Sequence, residues 1–278
     1  MSTILIKNGT LIDGSGSKRY LADILIENEK IKKIGKLDLT ADTVIDASGK
    51  IVSPGFIDTH SHSDLKVLIE PFVEPKIRQG ITTEILGQDG ISMAPLPEEY
   101  VSSWRKNLAG LDGDSDELKW DWKNTDGYLN LISKTGSGPN ELYLVPHGNI
   151  RMEAMGLEAR VATKEELEKM KEITRREMEA GVAGLSTGLI YIPCAYAETE
   201  ELIEICKVAA EYGRPLVIHQ RSEADTMLES MQEVIRIAKE SGVKIHFSHF
   251  KICGQKNWKL IEPVIALLDK CKEEGINV

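Results

Sequence analysis

Apolar and polar residues alternate along the first fifty positions. Ile4 to Ile12, Ala22 to Ile34 and Thr43 to Ile51 each follow the period of two that a half-buried strand requires. Asn8-Gly9 and Ser48-Gly49 supply turn signals within this all-β stretch, and Ser53-Pro54-Gly55 punctuates its end. The pattern then changes to short apolar runs, most of them followed by a helical period. The candidate strands are Phe56 to His62, Thr82 to Gly87, Leu142 to His147, Val182 to Ser186, Leu216 to His219 and Ile245 to His249. Thr163-Lys-Glu-Glu166 forms a capping box, with Leu167, Met170, Ile173 and Met178 on one face behind it and Gly181 at its stop. Thr199 to Glu211 is similar, ahead of Gly213. From the fourth strand on, strand starts recur about every thirty residues, the spacing of βα units.

Six such strands, with a seventh apolar run starting at Ile276, predict an α/β fold: a (β/α)8 TIM-type barrel, incomplete here at about six βα units. The predicted division is 1–54 for the all-β segment and 55–278 for the barrel. A doubly wound sheet competes, but it usually carries a Gly-rich phosphate turn after its first strand, and that turn here reads His-Ser-His-Ser-Asp. A strand begins at Ile276 and the sequence stops at Val278, so the chain reads as an N-terminal fragment, truncated before strands seven and eight. About 55 residues separate the second and third strands, a connection long enough to form a lid. They include Trp104, Trp120 and Trp122, which suit equally an insertion with its own small core.

Composition narrows the function. The 278 residues carry a net charge of −10, with 41% hydrophobic and 28% charged residues, as in a globular protein. The absence of a cationic surplus argues against a general nucleic-acid binder. Aromatic residues at 5% disfavour a stacking platform for single strands. No apolar run has the length of a membrane span, and no basic segment with an apolar core opens the sequence. Cys194, Cys206, Cys253 and Cys271 form no CxxC pair and read as thiols of a cytoplasmic protein.

The strongest chemical signal is Phe56-Ile-Asp-Thr-His60-Ser-His62-Ser-Asp64. Residues two apart on a strand share a face, so His60 and His62 are expected side by side at the C-terminal end, where barrels keep their active sites. His219 and His249 close two further strands. One such histidine is commonly a satisfied core residue; four on one rim are what a zinc hydrolase needs. Asp89, in Gly87-Gln-Asp-Gly90, is either a further ligand or an ordinary turn aspartate. Lys251 is either an anion-holding cation or a solvated lysine. Tyr191 either donates to substrate or packs its loop. His147 closes the third strand and faces the same rim, as a substrate-facing or ligand-supporting residue or as a structural one, in equal measure. His246 points the other way and reads as structural.

At these residues the sequence resembles the amidohydrolase superfamily and, more narrowly, the N-acyl-D-amino-acid deacylase (D-aminoacylase) family. The narrower likeness rests on Gly80-Ile-Thr-Thr with Gly90-Ile-Ser-Met-Ala-Pro95, on Gly184-Leu-Ser-Thr-Gly-Leu-Ile-Tyr-Ile-Pro193 with Ala197-Glu-Thr-Glu-Glu-Leu202, and on Ser248-His-Phe-Lys-Ile-Cys-Gly-Gln-Lys-Asn257. The resemblance implies a metal-dependent barrel beside a small β-sandwich built from both termini. It implies hydrolysis of N-acyl-D-amino acids, small-molecule substrates, to a carboxylate and a D-amino acid. It implies a tightly held Zn2+ on His219, His249 and a cysteine after the second strand, with His60 and His62 framing a weaker or vacant second position. It implies that Lys251 grips the substrate carboxylate and that Tyr191 lines the site. The sequence departs from the family in two places. Asp89 stands where the cysteine is usual, which makes the site harder and lets other divalent metals compete. The catalytic aspartate implied after an eighth strand lies beyond Val278.

Cyclic-amide hydrolases of the superfamily bridge two metals with a carboxylated lysine on the fourth strand, and Gly181-Val-Ala-Gly-Leu-Ser-Thr holds none. A dipeptide or cyclic-amide hydrolase, and a non-catalytic barrel, remain the alternatives. The motifs encode neither metal count, preferred side chain nor oligomeric state.

Overall fold

In the computed structural model, which describes residues 2–278, the alternation of the first fifty positions becomes a five-stranded sheet. Its strands are β1 (Thr3–Leu11), β2 (Tyr20–Glu27), β3 (Lys30–Gly35), β4 (Thr43–Asp46) and β5 (Ile51–Val52). The order is β3-β2-β1-β4, with β5 beside β1. β2 runs antiparallel to both β1 and β3, whereas β4 and β5 lie parallel to β1. Leu11, Ala22 and Ile24 form the small core of this unit, Met1–Phe56.

Three local readings are corrected here. Ala22 to Ile34 is a hairpin of two strands, turned at Asn28, whose backbone is left-handed (φ 56°). Thr43 to Ile51 is likewise two strands, joined through the Ser48-Gly49 turn. Asn8-Gly9 is no turn. It is a bulge inside β1, where the register with β2 shifts between Ile6 and Gly9. The Asn8 amide donates to Asp23 Oδ1 at 2.8 Å while Oδ2 accepts from Leu37 at 2.9 Å, so one buried carboxylate holds the bulge. A Cβ at Gly9 would lie 2.5 Å from Val52 Cγ2, so a larger residue there would force Val52 to move.

The second unit, Ile57–Val278, alternates strands and helices. Its sheet is made of β6 (Phe56–Asp58), β7 (Ile81–Leu86), β8 (Asn140–Pro146), β9 (Gly184–Gly188), β10 (Leu216–His219) and β11 (Ile245–Phe247). Spatial order equals chain order, and β7 through β11 pair in parallel. A doubly wound sheet reverses its order at a switch point; none occurs here, so the barrel topology holds over these strands. Between β6 and β7 lie α1 (Lys66–Ile69) and α2 (Glu74–Ile77); α3 (Val101–Leu108) and α4 (Thr125–Thr135) precede β8. Helices α5 (His147–Met155) and α6 (Lys164–Glu179) precede β9. Then come α7 (Thr199–Glu211), α8 (Met227–Ser241) and, after β11, α9 (Ile261–Glu273). Strand residues Leu86, Val145, Leu185, Leu216 and Ile218 pack in one core with Met170, Ile173, Leu202, Ile205, Val234 and Ile237 of the helices.

The long β7–β8 connection has no separate core. Trp104 and Trp122 are buried in the main core, and their indole N–H groups donate to the Ser92 and Met93 carbonyls, each at 2.7 Å. Two strands also end earlier than their sequences suggest: β6 stops at Asp58 and β11 at Phe247, leaving His60, His62 and His249 on the loops beyond. Ile276–Val278 is not a strand, although Ile245 N–H donates to Asn277 O at 2.8 Å. Among the described residues no helix is long and apolar enough to cross a membrane, and all four cysteines are free.

The capping box forms as read. Thr163 Oγ1 accepts from the Glu166 amide at 3.2 Å, and Glu166 returns a carboxylate oxygen to the Thr163 amide at 2.8 Å. Thr163→Ala is expected to lower unfolding free energy by about 1 kcal/mol in denaturant titration, and Thr163→Ser to restore most of it.

Candidate metal centre

The turn after β7 sets the site. Gly87, Asp89 and Gly90 all have positive φ (77°, 58° and 74°). A Cβ at Gly87 would stand 2.1 Å from the Leu144 carbonyl oxygen, and one at Gly90 would stand 2.8 Å from Thr187 Cα, so only glycine fits either place. Aspartate is one of the few other residues that tolerates the left-handed region. The following segment, Ile91 to Leu96, is buried and pinned. Asn149 accepts from the Ser92 amide and donates to the carbonyls of Ser92 and Pro95, and Tyr143 Oη bonds both the Ala94 amide and carbonyl. This rigid backing aims the Asp89 carboxylate at the strand ends.

Four imidazoles meet it. His60 Nε2 lies 3.5 Å and His62 Nε2 3.3 Å from Asp89 Oδ2. His219 Nδ1 faces Asp89 Oδ1 at 3.8 Å. His249 sits edge-on to His219, ring centroids 4.4 Å apart, and 5.4 Å from His60. Asp89 thus belongs to two donor triads, His60/His62/Asp89 and Asp89/His219/His249, each with its ligand atoms within 4.8 Å of one another. Asp89 is a turn residue whose carboxylate lies among histidines. His60 and His62 do converge, but a loop brings them together, since the strand ends before either residue.

Electrostatics follow from this crowding. Burial alone would raise the Asp89 carboxyl, yet hydrogen bonds from His60 and His62 and the charge of His219 hold it well below the usual carboxylate range. Burial lowers the His219 imidazole, and His249 and Lys251 lower it further against Asp89 and Glu223. Burial also opposes charging His62, but Asp112 and Asp89 outweigh it and push its pKa up to about 10.

Two groups at the site escaped the sequence reading. Glu223, on the loop after β10, accepts from His249 Nδ1 at 2.6 Å and pairs with the Lys251 ammonium. Its only sequence signal is its place four residues after a strand-closing histidine. Asp64 is fully buried behind the turn, where its Oδ1 accepts from the Gly87 amide at 2.7 Å and from the Ser92 hydroxyl. Burial, with the nearby Asp112 carboxylate, pushes the Asp64 carboxyl up to about 7.

The remaining candidates fall in different places. Lys251 is half-exposed at the rim, with its Nζ 3.2 Å from His249 Nδ1. The Tyr191 ring packs edge-on against His219 at 5.1 Å, and burial with Asp89 and Glu223 raises its hydroxyl pKa. His246 is exposed. His147 is not on the rim, which corrects the substrate-facing reading. It is wholly buried at the start of α5, with Nδ1 on Thr187 Oγ1 at 2.9 Å and Nε2 on Glu201 at 2.8 Å. Arg151 shares that glutamate, so both ring nitrogens serve a buried polar network.

The donor set fits a divalent cation. Asp89 Oδ1, His219 Nδ1 and His60 Nδ1 are buried with no hydrogen-bond partner among the described residues, a costly arrangement unless something binds them. Imidazoles with a carboxylate suit Zn2+ and its neighbours. Uptake at the His60/His62 side must displace the proton that His62 carries at neutral pH. Affinity there is expected to rise about tenfold per pH unit between pH 7 and 9, flattening as pH passes the His62 pKa. Calorimetry in two buffers of different ionisation enthalpy reads the released proton.

The sequence profile described as the amidohydrolase family matches residues 43–268. The D-aminoacylase of Alcaligenes xylosoxydans xylosoxydans is 35% identical, over 96% of this chain and 54% of its own. The N-acyl-D-glutamate deacylase of the same organism is 36% identical, over 99% of this chain and 55% of its own. A crystal structure of N-acyl-D-glutamate deacylase from Bordetella bronchiseptica, complexed with zinc and a phosphonate inhibitor, superposes with a TM-score of 0.92 at 35% identity. It covers 100% of this chain and 57% of that one. The chain spans about half the length of the curated relatives it matches. Profile, identity and superposition together establish that the chain belongs to the amidohydrolase family.

Proposed function

We propose that the protein hydrolyses the amide bond of N-acyl-D-amino acids, giving a carboxylate and a free D-amino acid. The observation that carries this is the convergence of four imidazoles on Asp89 in a chain 35–36% identical to D-aminoacylase and N-acyl-D-glutamate deacylase. Asp89, His219 and His249 would hold one divalent ion, Zn2+ or a harder relative, and His60 and His62 with Asp89 a second. When bound, such an ion polarises the scissile carbonyl and acidifies water.

The chain's own residues do the rest. Glu223 accepts the Nδ1 proton of His249 and so leaves Nε2 free to face the site. The same carboxylate fixes the Lys251 ammonium at the rim, where an N-acyl amino acid presents its free carboxylate. Tyr191 borders His219. No counterpart of the proton-transferring aspartate implied by the resemblance is proposed within these 278 residues. The free cysteines suit a cytoplasmic location. A cyclic-amide substrate is disfavoured because β9 reads Gly-Leu-Ser-Thr-Gly and offers no lysine.

His219→Ala in the full-length protein is expected to lose bound metal together with activity; normal metal content would refute the ligand assignment. Lys251→Met is expected to raise KM for an N-acetyl-D-amino acid about tenfold or more, with a much smaller change in kcat. Comparing N-acetyl-D-, N-acetyl-L- and dipeptide substrates tests the reaction itself, and preference for either of the latter would overturn it.

A further inference from the structure

Asp112 lies four residues past the end of α3, in the long connection between β7 and β8. Its amide donates to the Leu108 carbonyl at 2.9 Å, which ties it to the helix end. Its side chain is almost completely buried, and neither carboxylate oxygen has a hydrogen-bond partner among the described residues. Oδ1 faces His62 Nδ1 at 3.7 Å. The other nitrogen of that ring, Nε2, faces Asp89 at 3.3 Å.

A neutral imidazole carries one N–H and one lone pair. For Nε2 to offer its lone pair to a cation beside Asp89, the proton must sit on Nδ1, and a buried N–H needs an acceptor. Asp64 gives its Oδ1 to the Gly87 amide and the Ser92 hydroxyl; its Oδ2 has no hydrogen-bond partner among the described residues, but it is the Asp112 carboxylate that faces His62 Nδ1 at 3.7 Å. We propose that Asp112 is the positioning residue of His62: it takes the Nδ1–H and fixes the ring so that Nε2 faces the metal position shared with His60 and Asp89. The arrangement mirrors Glu223 behind His249. It differs in consequence, since Asp112 comes from the β7–β8 connection and makes that segment responsive to metal on one side of the centre. This inference rests on the metal reading above.

Zinc binding to the full-length protein by equilibrium dialysis against a competing chelator tests it. Asp112→Ala is expected to weaken the second Zn2+, on the His60/His62 side, about 10- to 100-fold while leaving the first unchanged. Asp112→Asn keeps a carbonyl acceptor and is expected to recover part of the loss. In the unaltered protein, saturating Zn2+ should slow amide exchange around Asp112, a readout that survives if a variant fails to fold. Unchanged affinity for the second ion in Asp112→Ala, no second ion in the unaltered protein, or no metal-dependent protection around Asp112 would overturn the inference alone. No bound ion at all would overturn the metal reading beneath it.

Discussion

A carboxylate buried without compensation costs several kcal/mol, so Asp89 can keep its charge only with cationic or protonated partners around it. That requirement organises the face that carries the four histidines. The Gly87-to-Gly90 turn leaves the aspartate in a left-handed conformation pointing inward, and four imidazoles from three separate loops and strand ends close around it. Without the two glycines the turn would collide with the neighbouring strands. Without the pinned segment behind it the carboxylate would not hold one direction.

The charge around the centre is layered. Asp89 stands at the middle, imidazoles surround it, and Glu223 and Asp112 stand behind individual rings. Asp64 braces the turn from below through a backbone amide and a hydroxyl. Glu223 behind His249 and Asp112 behind His62 each favour a proton on Nδ1, which leaves Nε2 toward the site. A cation in the middle would satisfy the orphaned Asp89 Oδ1 and His219 Nδ1, which face each other at 3.8 Å. The buried His147–Glu201–Arg151 network does a different job: it ties α5 to α7 beneath the same rim.

Much of the fold was legible because it rests on short-range rules. The capping box at Thr163, the apolar face behind it and the strand-closing His219 all obey local periodicity, and the structure places them where those rules put them. The pairing of His60 with His62 was legible for a partly mistaken reason, since a loop and not the strand pleat aligns them. Loop-borne groups were hidden. Nothing in the sequence distinguishes Glu223 or Asp112 from solvated acids, and Asp64, though it closes the histidine run, gains its bracing role only when chain segments far apart in sequence are packed together. His147 misled in the opposite sense: a strand-closing histidine reads as rim-facing, yet tertiary packing turned it into the wall. The tryptophans of the long connection misled similarly, because their partners are carbonyls of the segment that follows Asp89.

Asp89 is proposed to add an oxygen ligand to the imidazoles where the resembling family uses sulfur. Zinc K-edge X-ray absorption of the zinc-loaded protein tests it most directly. The expected result is nitrogen and oxygen scatterers at about 2.0–2.2 Å from the zinc, with imidazole scattering and no sulfur. A sulfur shell near about 2.3 Å would contradict it.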